Sequence, residues 1–301
     1  MPDTEQGDPL VPESGRTWTS ADRKALIVWL LVGLVLPSVL LIGLHVFFGM
    51  GISSDKLSVA VELRFKGIAA VFVVLGTWIA ARLQGRSVGD FGIPSRQAFG
   101  LRFWEGSIWG FAMLSFLVFA LIATGHFQIH SKALSGRAFW GYAFGWALAF
   151  LCVSFSEELT FRGYLLFHAS RRMRFWPAAI VSSVGFAAAH IPNPGETIVG
   201  ILQVLGTGLL FCFMIRRTGN LWFALGYHAA WDWAETFFYG TPDSGLMGVG
   251  YFLNTSSQGP AWLTGGSAGP EGSLLSLLIL LLAALFIQLR FPEAIYPDRP
   301  V

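Results

Sequence analysis

Long apolar segments separated by short polar stretches dominate the sequence. Eight of these segments come close to the roughly 20 residues that a helix needs to cross a lipid bilayer. They cover residues 25–48, 67–81, 103–124, 139–169, 176–191, 197–215, 221–239 and 274–289. The pattern predicts an all-α fold, a polytopic membrane helix bundle with about eight transmembrane helices.

The polar stretches divide the chain into parts. Because spanning helices usually pack as one bundle, we predict a single transmembrane domain over residues 25–290. A polar cytoplasmic segment, 1–24, precedes it, and a short tail, 291–301, follows it. The first apolar run is too long for the core of a signal peptide, so we expect it to be retained as a span. The stretch 240–272 is rich in Gly, Ser and Pro, which predicts a long mobile loop.

The composition supports lipid as the main solvent of this chain. Hydrophobic residues make up 54% of it and charged residues 13%, whereas soluble domains carry about 25% charged residues. The net charge of +2 comes without a basic block, which argues against a nucleic-acid partner. Cys152 and Cys212 stand alone in apolar runs and are interpreted as small buried hydrophobes.

The distribution of Lys and Arg predicts the orientation in the membrane. With eight spans, fifteen of the 20 basic residues fall on the side of the N-terminus, while Arg64 and Lys66 are counted on the other side. Positive residues favour the cytoplasmic side. We therefore expect both termini in the cytoplasm and, since no targeting segment is recognised, a bacterial plasma membrane.

Several ionisable residues interrupt the apolar spans, at a cost of roughly 2.5–3.5 kcal/mol each on insertion scales. They lie in spans four, five and seven: Glu157, Glu158, Arg162, His190, His228 and Asp232. Glu158 and Arg162 are four residues apart, so they can pair on one helical face. Glu157 then points about 100° away, toward another partner.

These groups come from separate helices at similar depth. At about 1.5 Å per residue, Glu157 and His190 each lie about 21 Å from the inner end of their helices, His228 about 16 Å and Asp232 about 22 Å. A carboxylate that faces two imidazoles can activate water as a general base while a histidine stabilises an oxyanion. The residues therefore indicate hydrolysis, with a catalytic core in helices four to seven.

Other interpretations of the same residues remain open. Glu157, His190 and His228 could bind zinc as in a metalloprotease, although no HExxH motif occurs. The chain could also be a non-enzymatic membrane scaffold or transport partner, since buried carboxylates and histidines also serve proton relays. Glu158 and Arg162 are interpreted as a supporting structural pair, and Glu235 as a residue that ends its helix.

Three motifs resemble those of the CPBP family, the CAAX-prenyl proteases and bacteriocin-processing proteins, also called the Abi family. EELTFR, with Glu157, Glu158 and Arg162, is similar to its EExxxR motif, and FAAAH, ending in His190, to its FxxxH motif. HAAWD, from His228 to Asp232, resembles its third motif, HxxxN or HxxxD. The motifs occur in family order, and the resemblance covers about residues 137–239.

The resemblance implies an intramembrane glutamic endopeptidase without a cofactor or a metal. In such enzymes the first Glu and the second-motif His activate water, which assigns these roles to Glu157 and His190. The third motif forms the oxyanion site, which assigns His228 and Asp232 to it. Asp232 departs from the Asn of the prenyl-protein proteases, and an ionised Asp cannot donate a hydrogen bond. Asp232 would therefore be protonated or would orient His228, and the expected peptide or protein substrate need not be lipid-modified.

Overall fold

The computed structural model describes residues 18–48, 56–193 and 195–298 of the chain. Residues 1–17 of the predicted N-terminal segment and residues 299–301 of the predicted tail lie outside the described part. Within it, α-helices predominate, and the predicted all-α membrane-type bundle is confirmed. The longer helices are α1 (Ser20–Trp29), α2 (Leu36–Phe48), α3 (Val59–Leu83), α4 (Leu101–Ala123), α5 (Gly136–Glu158), α6 (Leu165–Ser170), α7 (Phe175–His190), α8 (Ile198–Thr218), α9 (Trp222–Asp232) and α11 (Leu274–Arg290), with the short α10 (Ala261–Thr264) before the last.

Three π-helical turns join or extend these helices without a break in the chain. They lie at Leu30–Val35, Leu159–Tyr164 and Trp233–Phe238. The second turn contains Gly163, whose backbone leaves the helical region at φ −81° and ψ −116°. A π-helical turn inserts a residue and re-aims the side chains around it, and such turns occur frequently at functional sites. Here the second turn overlaps the EELTFR motif, and the third begins directly after the HAAWD motif.

Each predicted apolar segment coincides with a helix or a run of joined helices. Among the described residues, four such runs are long and apolar enough to cross a membrane: Ser20–Phe47, Leu101–Ala123, Gly136–Ser170 and Ile198–Thr218. Only 22–50% of the most apolar window in each is buried inside the protein. The remaining apolar surface faces outward, as a lipid solvent requires. The count of eight spans stays a prediction.

The second helix is longer than the sequence predicts. The segment 67–81 was set by apolar residues, but α3 begins at Val59 and carries Glu62, Arg64 and Lys66 in its first two turns. Lys66 therefore lies on this helix rather than in the segment before it. The helix begins early because Ser58 accepts a hydrogen bond from the backbone N–H of Val61 and caps it.

Helices α4 and α9 pack with their backbones almost in contact. A Cβ atom added to Gly106 or Gly110 of α4 would collide with the carbonyl oxygen of Phe223 or Tyr227 of α9. Small residues at a helix interface allow such close approach inside a membrane, where apolar packing alone gives little association. This contact fixes the position of α9, which carries the HAAWD motif.

The stretch 240–272 is more regular than the predicted loop. It contains β3 (Pro242–Asp243), β4 (Leu246–Gly248) and β5 (Leu253–Ser257). β4 pairs in parallel with β1 (Lys56–Leu57) and antiparallel with β3, and β5 pairs antiparallel with β2 (Phe127–Lys132). These pairings satisfy backbone groups and hold the stretch against one end of the bundle.

Candidate active site

The EELTFR motif lies where α5 passes into its π-helical turn. Glu157 and Glu158 are the last two residues of α5 and diverge as helix geometry requires. The side chain of Glu157 is 15% exposed and lines a cavity, whereas that of Glu158 is fully buried. The two adjacent carboxylates therefore occupy different environments.

Glu158 and Arg162 form a fully buried ion pair, with Arg162 Nη1 3.0 Å from Glu158 Oε1. The guanidinium lies over the ring of Phe186, 3.9 Å from its centroid, which is a favourable cation–π geometry. A Cβ atom at Gly208 of α8 would lie 2.7 Å from Arg162 Nη2, so the glycine leaves room for this side chain. Arg162 thus links the π-helical turn to α7 and α8.

The second motif ends α7 with His190. Its Nδ1 atom lies 2.9 Å from the carbonyl oxygen of Phe186, one helical turn earlier. A carbonyl only accepts hydrogen bonds, so Nδ1 carries the proton and donates it. In the neutral ring this leaves Nε2 as a free acceptor, and His190 lines the same cavity as Glu157.

The third motif brings His228 between three carboxylates. Its Nδ1 atom donates to Glu158 Oε1 at 3.0 Å. Its Nε2 atom lies 3.3 Å from Asp232 Oδ2 and 3.9 Å from Glu157 Oε2. Both ring nitrogens therefore face acceptors, and the ring plane of His228 is fixed on both sides.

All four residues predicted to be catalytic line one cavity of about 310 Å³. Glu157 comes from α5, His190 from α7, and His228 and Asp232 from α9. Phe150, Phe161, Phe211 and Trp231 contribute apolar walls. An apolar cavity with a few convergent polar groups is typical of a binding or active site.

Lys66 is the residue of this site that the sequence analysis missed. Its Nζ atom lies 2.6 Å from Glu157 Oε1, and it reaches the cavity from α3. Glu62, one turn earlier on the same helix, also lines the cavity. The spacing of Glu62 and Lys66 on one helical face was the signal available in the sequence, but the hydropathy pattern began the span only after them.

Besides Glu157 and Asp232, a second group of carboxylates lies at the cavity, and two of its members, Asp243 and Glu271, line it. Glu235, Asp243 and Glu271 each offer a carboxylate oxygen within 4.8 Å of the others. Burial, with the neighbouring carboxylates, raises the pKa of Glu271 from 4.5 to about 7 and that of Asp243 well above its usual value. Glu235 does not end its helix, as the sequence suggested; it is fully buried and accepts a hydrogen bond from Trp231 Nε1 at 2.9 Å.

The zinc ligand set proposed as an alternative is not assembled in this geometry. Within the described part of the chain, only the group of Glu235, Asp243 and Glu271 brings three candidate ligand atoms so close together. Glu157 instead pairs with Lys66, and both ring nitrogens of His228 face carboxylates.

Comparison with known proteins finds similarity in the region of the chain that contains the three motifs. Residues 139–234 match the family model described as type II CAAX prenyl endopeptidase Rce1-like. The uncharacterized protein YyaK of Bacillus subtilis (strain 168) is 26% identical over 213 residues, which cover 67% of this chain and 69% of that protein. No solved structure gives a significant match. The matched region contains all three motifs, from EELTFR to HAAWD. The resemblance of these motifs to the CPBP family is thereby confirmed by an Rce1-like match over residues 139–234 of the chain.

Proposed function

We propose that this chain is an intramembrane glutamic endopeptidase that hydrolyses a peptide bond with Glu157 as the general base. The observation that carries the proposal is the convergence of Glu157, His190 and His228 on one cavity from three different helices. A carboxylate and two imidazoles around an apolar cavity supply the groups that amide hydrolysis needs. The Rce1-like match over 139–234 supports the protease class.

In the proposed reaction Glu157 and His190 hold and activate water. The unprotonated Nε2 of His190 can accept a hydrogen bond from a water molecule that also approaches Glu157. Glu157 takes one proton as the water oxygen attacks the scissile carbonyl carbon, and later delivers it to the leaving amine. Glu157 and His190 would thus activate the nucleophile without a metal ion.

The carbonyl oxygen, which becomes an oxyanion, lies in this proposal against the protonated ring of His228 and shares its Nε2–H with Asp232. Asp232 Oδ2, at 3.3 Å from His228 Nε2, acts as an acceptor that orients the imidazole and favours its protonated form. Glu158 holds the other ring nitrogen at 3.0 Å. Asp232 therefore contributes through His228 and need not itself be protonated.

The proposed substrate is a peptide or protein that enters from the membrane, with or without a prenyl group. The cavity lies between helices whose outer surfaces are apolar, which suits substrates that are themselves membrane-associated. We propose a bacterial plasma membrane with both termini in the cytoplasm. The predominance of Lys and Arg on the side of the N-terminus supports this orientation.

The decisive experiment compares the wild type with Glu157→Gln and, as a matched control, Glu105→Gln, a carboxylate of α4 that pairs with Arg102 and Arg290. Each purified protein is incubated in detergent with hydrophobic peptides, some with a prenylated CAAX end, with and without chelator. Mass spectrometry identifies the products. We expect chelator-resistant cleavage by the wild type and Glu105→Gln only. If Glu157→Gln cleaves the peptides as well as the wild type does, Glu157 is not the general base. If chelator abolishes cleavage by the wild type, a metalloprotease is favoured.

A further inference from the structure

Lys66 contacts the proposed general base from outside the region that matches the protease family. It lies on α3, whereas the matched region begins at residue 139. The Nζ atom of Lys66 is 2.6 Å from Glu157 Oε1, and the two side chains are 35% and 15% exposed. The contact is therefore a short, partly desolvated ion pair, which is stronger than a fully exposed one.

The charges around the cavity make this contact important. Among the described lining residues, Lys66 is the only Lys or Arg, while the carboxylates are Glu62, Glu157, Asp232, Asp243 and Glu271. Glu62 and Asp232 both interact electrostatically with Lys66. Like charges in a site of low dielectric repel one another strongly. Without the ammonium group, Glu157 would face two other carboxylates with only the histidines to balance them.

The ion pair also distinguishes the two oxygens of Glu157. Oε1 is held by Lys66, whereas Oε2 faces the imidazole of His228 at 3.9 Å. A carboxylate has about four acceptor sites, so one contact at Oε1 leaves Oε2 able to receive a proton from water. Without the contact to Lys66, the long side chain of Glu157 would populate several rotamers, and the position of Oε2 would not be fixed.

We infer, on the basis of the proposed function, that Lys66 is a positioning residue for the general base, which holds Glu157 through Oε1 and directs Oε2 toward the water and His228. Lys66 acts through Glu157 and does not itself contact the scissile bond. The role needs a cation of defined reach at this place on α3. An apolar residue of similar size would fill the space but lose the function.

Kinetics of four variants test this inference with the peptide that the wild type cleaves. Lys66→Met is expected to lower kcat by about 10–100-fold with little change in KM, because displacing a catalytic group by about 1 Å costs a factor of this order. Lys66→Arg, which keeps the charge, is expected to recover part of the loss. Arg64→Met is the matched control, because Arg64 lies about 200° around α3 from Lys66. Glu157→Gln, the fourth variant, is expected to show no measurable kcat.

The outcomes separate this inference from the proposed function. If Glu157→Gln cleaves like the wild type, the proposed function fails. If Glu157→Gln is inactive while Lys66→Met has full kcat, only the role of Lys66 fails. A raised KM with unchanged kcat would also overturn it, because Lys66 would then bind substrate.

A chemical readout that does not depend on activity completes the test. Dicyclohexylcarbodiimide reacts with protonated carboxyl groups in apolar surroundings, and the modified peptide is quantified by mass spectrometry. We expect several-fold greater labelling of Glu157 in Lys66→Met than in the wild type or Arg64→Met. Equal labelling in all three proteins would overturn the inference. If Lys66→Met does not fold, Lys66→Gln replaces it in the same comparison.

Discussion

His228 Nδ1 and Arg162 Nη1 both donate to the same oxygen of Glu158, each at 3.0 Å. The second Glu of the EELTFR motif therefore connects a fully buried cation to the imidazole proposed to stabilise the oxyanion. Because the Glu158–Arg162 pair is completely desolvated, the removal of one partner leaves an uncompensated charge in the interior.

The first prediction concerns this buried pair. Arg162→Met is expected to lower the free energy of unfolding by about 3–5 kcal/mol, because the Glu158 carboxylate loses its cation. Unfolding of the purified protein in detergent, followed by circular dichroism, measures the change. Arg96→Met, at an exposed position, should change stability by less than about 0.5 kcal/mol. The double variant Glu158→Gln/Arg162→Met should be more stable than Arg162→Met alone, and equal stability of the two would contradict a coupled pair.

The second prediction concerns the close packing of α4 and α9. Gly110→Ala places a methyl group against the carbonyl oxygen of Tyr227, and overpacking of this kind costs about 1–3 kcal/mol. Since α9 carries His228, the same displacement should lower kcat. Gly141→Ala is the control, because a Cβ atom there has no atom within 4 Å. The melting temperature and kcat of both variants test this prediction. Similar values for the two would contradict it, because α4 could then shift without loss of stability or activity.

The sequence predicts the helices of this fold well because apolar length alone identifies them. It also predicts Glu157, His190, His228 and Asp232 as one group, because charges are rare inside apolar spans and their motifs are recognisable. Lys66 is different. It lies in the first turns of α3 beside Glu62 and Arg64, and a hydropathy pattern treats three charges in five residues as the end of a span.

The strands around 240–272 illustrate a second limit. β1 has only two residues, and its partner β4 lies about 190 residues further along the chain. No local pattern specifies so short and so distant a pairing. The burial of Glu235 has the same origin, because Asp243 and Glu271 reach it only after this stretch folds back onto the bundle. Local sequence identifies groups that are expensive to bury, whereas tertiary contacts decide which of them meet.

The third prediction tests how Asp232 contributes. Its Oδ2 atom lies 3.3 Å from His228 Nε2, and Asn keeps an oxygen at the same place. Asp232→Asn should therefore retain activity within about 10-fold, whereas Asp232→Leu removes the acceptor and should lower kcat by about 100-fold or more. Steady-state kinetics on the peptide cleaved by the wild type measure both. Full activity of the Leu variant would mean that Asp232 has no part in orienting His228.

The fourth prediction concerns pH and the acidic group at the end of the cavity. The pKa of Glu271 is raised by burial from 4.5 to about 7. Between these values the folded protein binds more protons than the unfolded chain, so stability falls as pH rises through this window. Glu271→Gln stays neutral and keeps an oxygen to accept from Ser244. Its melting temperature should therefore equal that of the wild type near pH 4.5 and exceed it at pH 8.

Thermal unfolding in chelator, which prevents a cation from neutralising the carboxylates, measures this difference across the pH range. Glu293→Gln, at an exposed position, should follow the wild type at every pH. Some pH dependence should remain in Glu271→Gln, because the pKa of Asp243 is also raised by burial and neighbouring carboxylates. If Glu271→Gln instead melts below the wild type at pH 8, the ionised carboxylate stabilises this end of the cavity. Only a favourable interaction of its charge could reverse the sign of the difference in melting temperature.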